Sequence, residues 1–172
     1  CFFIISLILW NYLNLKVKKN INNKLKNYIP LTFLIFIFIQ IIIGAFVSGM
    51  DAGKIYNSWP LMGSSYFPDD NNVLNIFKFS AFSDPSLVQF MHRNLAYLIL
   101  FFYFVLLIKI YKEKLSYLYA TINWVGLILT VQILLGVLTL ISGAQIGLSS
   151  MHQISSIFLV SFSVYLLFLN TN

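Results

Sequence analysis

Apolar side chains dominate four long stretches of the chain, at residues 31–50, 88–108, 119–141 and 149–169, the last slightly more polar at its start. About 20 such residues form a helix that crosses the roughly 30 Å hydrocarbon core of a bilayer, so each stretch is predicted to be a transmembrane helix. Residues 1–13 open as Cys1-Phe2-Phe3-Ile4-Ile5 and read as the trailing end of a further span, so the chain is expected to be a fragment that begins inside a membrane helix. They have neither the charged start nor the small-residue cleavage site of a secretory signal peptide. The expected fold is an all-α membrane protein. A truncated helix over 1–13 and a basic loop over 14–30 precede a four-helix transmembrane bundle, whose outer loop covers 51–87.

The 172 residues are 59% hydrophobic and 17% aromatic, and only 9% carry charge. Soluble domains carry about 25% charged residues, so a soluble enzyme, a disordered segment and a nucleic-acid binder are excluded. The net charge of +6 is topological instead. Lys16, Lys18, Lys19, Lys24 and Lys26 fall in residues 14–28, and Lys109, Lys112 and Lys114 stand with Glu113 in residues 109–118. The other two connections, 51–87 and 142–148, hold only Lys54 and Lys78, against four Asp. If every stretch crosses, eight lysines lie on one side and two on the other, as the positive-inside rule requires of a cytoplasmic face. Cys1 is the only cysteine and cannot form an internal disulfide.

The chain also repeats itself. Gln40-Ile-Ile-Ile-Gly44 in the first span matches Gln132-Ile-Leu-Leu-Gly136 in the third, and Met91-His92 matches Met151-His152 at the starts of the second and fourth. Ala96 or Ser156, both small, follows each histidine by four positions. Gln to His takes 52 positions in the first copy and 20 in the second, so the first outer loop carries a 32-residue insertion. Both copies run outward and then inward, which predicts a pseudo-twofold axis along the membrane normal.

His92 and His152 are the only histidines. Each lies about one turn inside the outer end of an inward-running helix, so the two share one depth. Two imidazoles facing each other across the repeat axis can supply both axial ligands of one haem iron. The other reading is two unrelated interfacial histidines bonded to backbone. Zinc fits less well, because a tetrahedral site needs more ligands than these two and the outer loop offers only Asp. Helices in direct contact lie 8–10 Å apart, too close for a porphyrin between two histidines. Ala96, Ser156, Ser155, Ser163, Gly44 and Ser48 would leave it room, or else line ordinary helix contacts. Gln40 and Gln132 read as polar glue between helices before they read as cofactor contacts. Arg93 can pair with a haem propionate through its carboxylate-matching fork, or snorkel to the headgroups. The outer loop mixes chain breakers with aromatics and reads mainly as a cap, with residues 71–79 suited to the membrane surface and Asp51 at the membrane edge near the proposed haem.

Gly44-Ala-Phe-Val-Ser-Gly49-Met-Asp51-Ala-Gly53, followed by Tyr56-Asn57, Trp59-Pro60 and Met62-Gly63, resembles the outer-loop signature of the haem A synthase family. Gln89-Phe90-Met91-His92-Arg93 with Ala96-Tyr97 resembles that family's sixth transmembrane helix, Gln132 to Gly136 with Thr139-Leu140 its seventh, and His152-Gln153 its eighth. The resemblance implies an eight-helix membrane oxidoreductase of two four-helix halves, which oxidises a ring methyl of haem O to the formyl group of haem A for terminal oxidases. It implies that this chain is the carboxyl-terminal half, holding haem b with His92 and His152 as the iron ligands. The substrate haem and a functionally important glutamate belong to the other half. Glu113 matches nothing catalytic, so no catalytic residue is expected in this chain. The implied partners are haem O, the lipid bilayer, haem O synthase and oxidase assembly factors. The implied location is the bacterial inner membrane, ahead of the mitochondrial inner membrane.

Two other classes stay open on the residues alone. A bis-histidine electron-transfer cytochrome needs the histidines but has no use for the loop signature. A transporter built on parallel repeats favours ionisable groups near the midplane, and the spans hold none at that depth. The lysine asymmetry makes a direct prediction: reporter fusions at Lys24 and Asn72 report opposite sides of the membrane, and the same side for both would sink this topology.

Overall fold

The computed structural model describes residues 2–16 and 24–171; Lys18 and Lys19 of the basic loop lie outside the described residues. The described chain is helical, with α1 (Phe2–Lys16), α2 (Tyr28–Gly49), α3 (Pro85–Lys112), α4 (Tyr119–Ile141) and α5 (Ile146–Thr171). Short 3-10 turns occupy Ala52–Lys54, Val73–Phe77, Phe79–Ser83 and Ser116–Leu118. The four long helices, with the Ser116–Leu118 turn leading into α4, are each long and apolar enough to cross a membrane, and α1 is a shorter apolar helix. The protein is therefore an all-α membrane protein, as its hydropathy predicts.

α3 and α5 run two to four residues past the predicted stretches at both ends and α2 starts three residues early, because backbone hydrogen bonding does not stop where the hydrocarbon does, while α4 keeps the predicted bounds. α3 carries Lys109 and Lys112 in its last turn, where cations complement the helix dipole, and Lys109 pairs with Glu113 one turn on at 3.1 Å. Gly143 and Ala144 take left-handed φ of 70° and 59°, reversing the chain between α4 and α5.

The chain divides into two compact units, one of Cys1–Phe38, Ile99–Gln132 and Ile154–Asn172, the other of Ile39–Leu98 and Ile133–Gln153. Each of the four long helices contributes a segment to both. The first unit buries Phe33 and Ile37 of α2, Ile99, Tyr103, Leu106 and Ile110 of α3, Ile122, Val125 and Leu129 of α4, and Val160, Val164 and Phe168 of α5. In α2, α3 and α4 these positions recur every three or four residues, so each turns one stripe inward, whereas α5 is buried on nearly every side from Leu166 to Asn170. The opposite stripes, with Phe101, Ile108, Trp124 and Leu127, stay exposed and apolar, as lipid requires. Buried Asn170 closes the end of this unit: its amide donates to the Leu25 carbonyl and to Asn27 Oδ1, both at 3.1 Å, and its oxygen accepts from the Leu25 N–H at 2.9 Å.

Close helix approach in this unit depends on Gly126. A methyl there would overlap the Tyr103 hydroxyl oxygen and lie 2.6 Å from the ring carbon that bears it. The rigid ring cannot yield as a flexible chain would. Gly126→Ala is expected to cost about 1–3 kcal/mol by overpacking, read as a lowered thermal midpoint in detergent. Adding Tyr103→Leu should remove most of that extra cost; strictly additive losses would show that the contact is not the cause.

Candidate functional site

The second unit contains both histidines and the outer loop. Its organiser is the start of α3. Ser86, Gln89, Phe90, Arg93, Asn94 and Tyr97 fall on one face of that helix, and each engages the loop. The Ser86 hydroxyl donates to Asp70 at 2.6 Å, and the Gln89 amide to the Tyr56 carbonyl at 3.1 Å. The Tyr66 hydroxyl donates to Asn94 Oδ1 at 2.6 Å, and the Trp59 indole N–H to the Tyr97 hydroxyl at 2.9 Å. Phe67 meets Phe90 edge to face at 5.0 Å. Arg93 is the hub, donating to the carbonyls of Ser58 (2.9 Å), Leu61 (3.2 Å) and Tyr56 (3.0 Å). The sequence reading had offered a propionate or the headgroups as its partner; the structure places both terminal nitrogens on loop carbonyls.

Further ties complete the loop. The Asn57 amide donates to the Gly53 carbonyl at 2.8 Å and to the Leu140 carbonyl, at the end of α4, at 3.0 Å. Burial pushes the Asp70 carboxyl up, but hydrogen bonds from Ser86, Tyr56 and Asn71 outweigh it, so Asp70 titrates below its ordinary value. Burial and the bond to Asp70 in turn raise the Tyr56 phenol. Asp51 is exposed and pairs with Lys54 at 2.9 Å, a surface pair of small energetic weight. Phe77 and Phe79, in the stretch read as suited to the membrane surface, are 84% and 91% exposed.

The imidazoles use a different face. At about 100° per residue, His92 points away from the loop-binding side of α3 and against α2. The Gln40 amide donates to the His92 carbonyl at 3.0 Å and reaches ring Nε2 at 3.2 Å. A methyl at Gly44 would lie 3.1 Å from His92 Cε1, and one at Gly136 would lie 3.2 Å from His152 Cε1. Gln132 accepts from the Ser155 hydroxyl at 2.5 Å, so both glutamines do bridge helices. Of the small residues read as room for a macrocycle, Gly44 touches a ring, Ser163 bonds back to the Leu159 carbonyl of its own helix, and Ser48 is exposed.

Sequence reasoning missed most of the α3 loop face. The signal was present: Ser86, Gln89, Arg93, Asn94 and Tyr97 form a polar stripe at helical spacing in an apolar span, and such groups must find partners inside the protein. Gln40 Oε1, Gln89 Oε1, His92 Nδ1, Arg93 Nε and Thr139 Oγ1 are buried without a hydrogen-bond partner, and all belong to the second unit. Buried polar groups are normally satisfied, so the open ones in the unit that holds both histidines fit a site that receives a polar-edged ligand. Among the described residues no cluster of three or more His, Cys, Asp or Glu can hold a metal ion, so a metal here would rely on the two imidazoles.

The COX15-CtaA family, described as cytochrome oxidase assembly protein, matches residues 1–164. The chain belongs to this family, that of the haem A synthases. It is 41% identical over 170 residues to the haem A synthase of Pelagibacter ubique (strain HTCC1062), covering 99% of this chain and 50% of that protein. It is 36% identical over 172 residues to the haem A synthase of Rickettsia bellii (strain OSU 85-389), covering 94% and 51%, and 38% identical over 152 residues to that of Wolbachia pipientis wMel, covering 88% and 41%. The chain spans about half the length of the curated relatives it matches. No solved structure matches it. The family resemblance read from the loop signature and the histidine helices thus holds.

In this member of the haem A synthase family the loop geometry makes Arg93 its main anchor. Hydrogen bonds to charged groups are worth about 1.5–3 kcal/mol, and a lysine cannot reproduce the fork. Arg93→Ala and Arg93→Lys should both speed amide hydrogen exchange across residues 56–63, with about 2 kcal/mol lost from local protection. Unchanged exchange in both variants would show that the loop is held without the guanidinium.

Proposed function

We propose that the chain is the haem-b-holding, carboxyl-terminal half of a haem A synthase, acting in the conversion of haem O to haem A for terminal oxidase assembly in a bacterial inner membrane. The observation that carries this reading is that both of the chain's histidines fall within one compact unit, in a chain of this family. Two imidazoles are a donor set suited to a six-coordinate haem iron, and the orphaned His92 Nδ1 and the glycine beside each ring fit a site built around those rings. When bound, such a haem supplies one-electron transfer.

The protein's own residues do the rest. Gln40 steadies the backbone of α3 at His92 by donating to its carbonyl. Arg93 holds the loop across the start of α3, which keeps water from that end of the helix, and its buried Nε–H is the donor left for a propionate. Glu113 is paired with Lys109 and takes no part. The catalytic groups and the haem O site belong to the other half of the family's eight-helix protein, and haem O synthase and oxidase assembly factors are its partners.

His92→Ala or His152→Ala should abolish or convert the low-spin haem b spectrum of the purified protein, and Arg93→Ala should weaken haem binding less. The 172-residue chain loaded with haem should show one low-spin haem b and no conversion of haem O. A low-spin spectrum that survives both histidine variants would overturn the ligand assignment; conversion by this chain alone would overturn the division of labour.

A further inference from the structure

The Gln-x-x-x-Gly repeat places its glycine against an imidazole twice. A methyl at Gly44 would lie 3.1 Å from His92 Cε1, 3.6 Å from Nδ1 and 4.0 Å from Nε2; one at Gly136 would lie 3.2, 3.6 and 3.8 Å from the same atoms of His152. The order of approach is the same and the distances agree within 0.2 Å, though the two contacts are made by different helix pairs. Neither glycine has the positive φ that would demand glycine for the backbone's sake; among the described glycines only Gly63 and Gly143 do. Both sit inside helices, where glycine is a poorer helix former than alanine. Crowding is not general to the helical glycines: at Gly49 and Gly147 a methyl would meet nothing within 4 Å, and at Gly126 it would meet Tyr103, so only the two repeat glycines face an imidazole.

From this we infer that Gly44 and Gly136 are positioning residues that set the ring orientation of His92 and His152. The inference rests on the bis-histidine reading above and adds what holds each ring. Cε1 lies between the two ring nitrogens, so the ring edge sits where a side chain would begin, and a methyl added there would tip or swing the ring. An ordinary carbon contact is 3.4–4 Å, so an alanine would displace the imidazole by a few tenths of an ångström. The residue supporting a ligating histidine governs its orientation and its binding strength. Because the repeat supplies one such glycine for each histidine, the two rings are held alike.

The test is a double-mutant cycle with a spectroscopic arm. Gly44→Ala and Gly136→Ala, in the purified protein with its haem, should shift the largest g value of the low-spin ferric EPR signal and weaken haem retention on the order of tenfold. Gly49→Ala and Gly147→Ala should leave both unchanged. In the absence of haem, Gly44→Ala should lower the thermal midpoint in the parent but not in a His92→Ala background, and Gly136→Ala should behave likewise with His152→Ala. The crossed pairs, Gly44→Ala with His152→Ala and Gly136→Ala with His92→Ala, should give no such relief. If Gly44→Ala does not yield folded protein, recovery of folding by adding His92→Ala is the expected result, and no recovery counts against the contact. Parent-like EPR signals in both glycine variants, alongside loss of the signal in both histidine variants, would overturn the inference and leave the bis-histidine reading standing. A parent without a low-spin signal, or histidine variants that keep it, would overturn that reading itself.

Discussion

A guanidinium at the start of a membrane helix has to be satisfied by the protein, because little water reaches it there and an uncompensated charge is costly. Arg93 meets this demand with three backbone carbonyls of one loop. Those carbonyls, on Tyr56, Ser58 and Leu61, belong to an irregular segment with no helix to satisfy them; Gln89 adds a donor at Tyr56 and the Ser58 hydroxyl one at Leu61. The path of the loop follows. Once residues 56–61 are drawn onto α3, Trp59 can reach Tyr97, Gln89 can reach the Tyr56 carbonyl, and Asn57 can reach the end of α4.

α3 therefore works with two faces. One carries Ser86, Gln89, Phe90, Arg93, Asn94 and Tyr97 and is occupied by the loop; the other carries His92 and is occupied by Gln40 and Gly44 of α2. The separation matters because neighbouring residues on a helix point about 100° apart. A charged anchor can thus stand next in sequence to an imidazole without competing for its partners. The second copy of the repeat has only a short turn between its helices, so it keeps the glycine–imidazole contact and dispenses with the loop.

The membrane helices were legible in the sequence because hydropathy over about 20 residues needs no knowledge of neighbours. The doubled Gln-x-x-x-Gly and Met-His pattern was legible for a similar reason: identity at matching positions shows without coordinates. Arg93 was harder. Its type and depth signalled that it needed a partner, and a propionate or a headgroup was the natural guess, because a sequence names charged partners more readily than backbone carbonyls. Asp51 drew attention as the acid nearest the membrane edge but pairs locally with Lys54, whereas Asp70 ties the loop to α3 through Ser86 and also accepts from Tyr56.

Composition and pattern by themselves determined that this chain is a set of apolar helices with an internal repeat, two histidines and a specific outer loop. These are properties of residue type and spacing. Tertiary structure alone decided which atoms meet: that each repeat glycine abuts its own copy's imidazole, that Gln40 bonds His92 while Gln132 bonds Ser155, and that Arg93 holds the loop. Such contacts depend on helix rotation and close approach, where a few tenths of an ångström separate a fit from a clash, and the order of residues along one chain carries no distances of that kind.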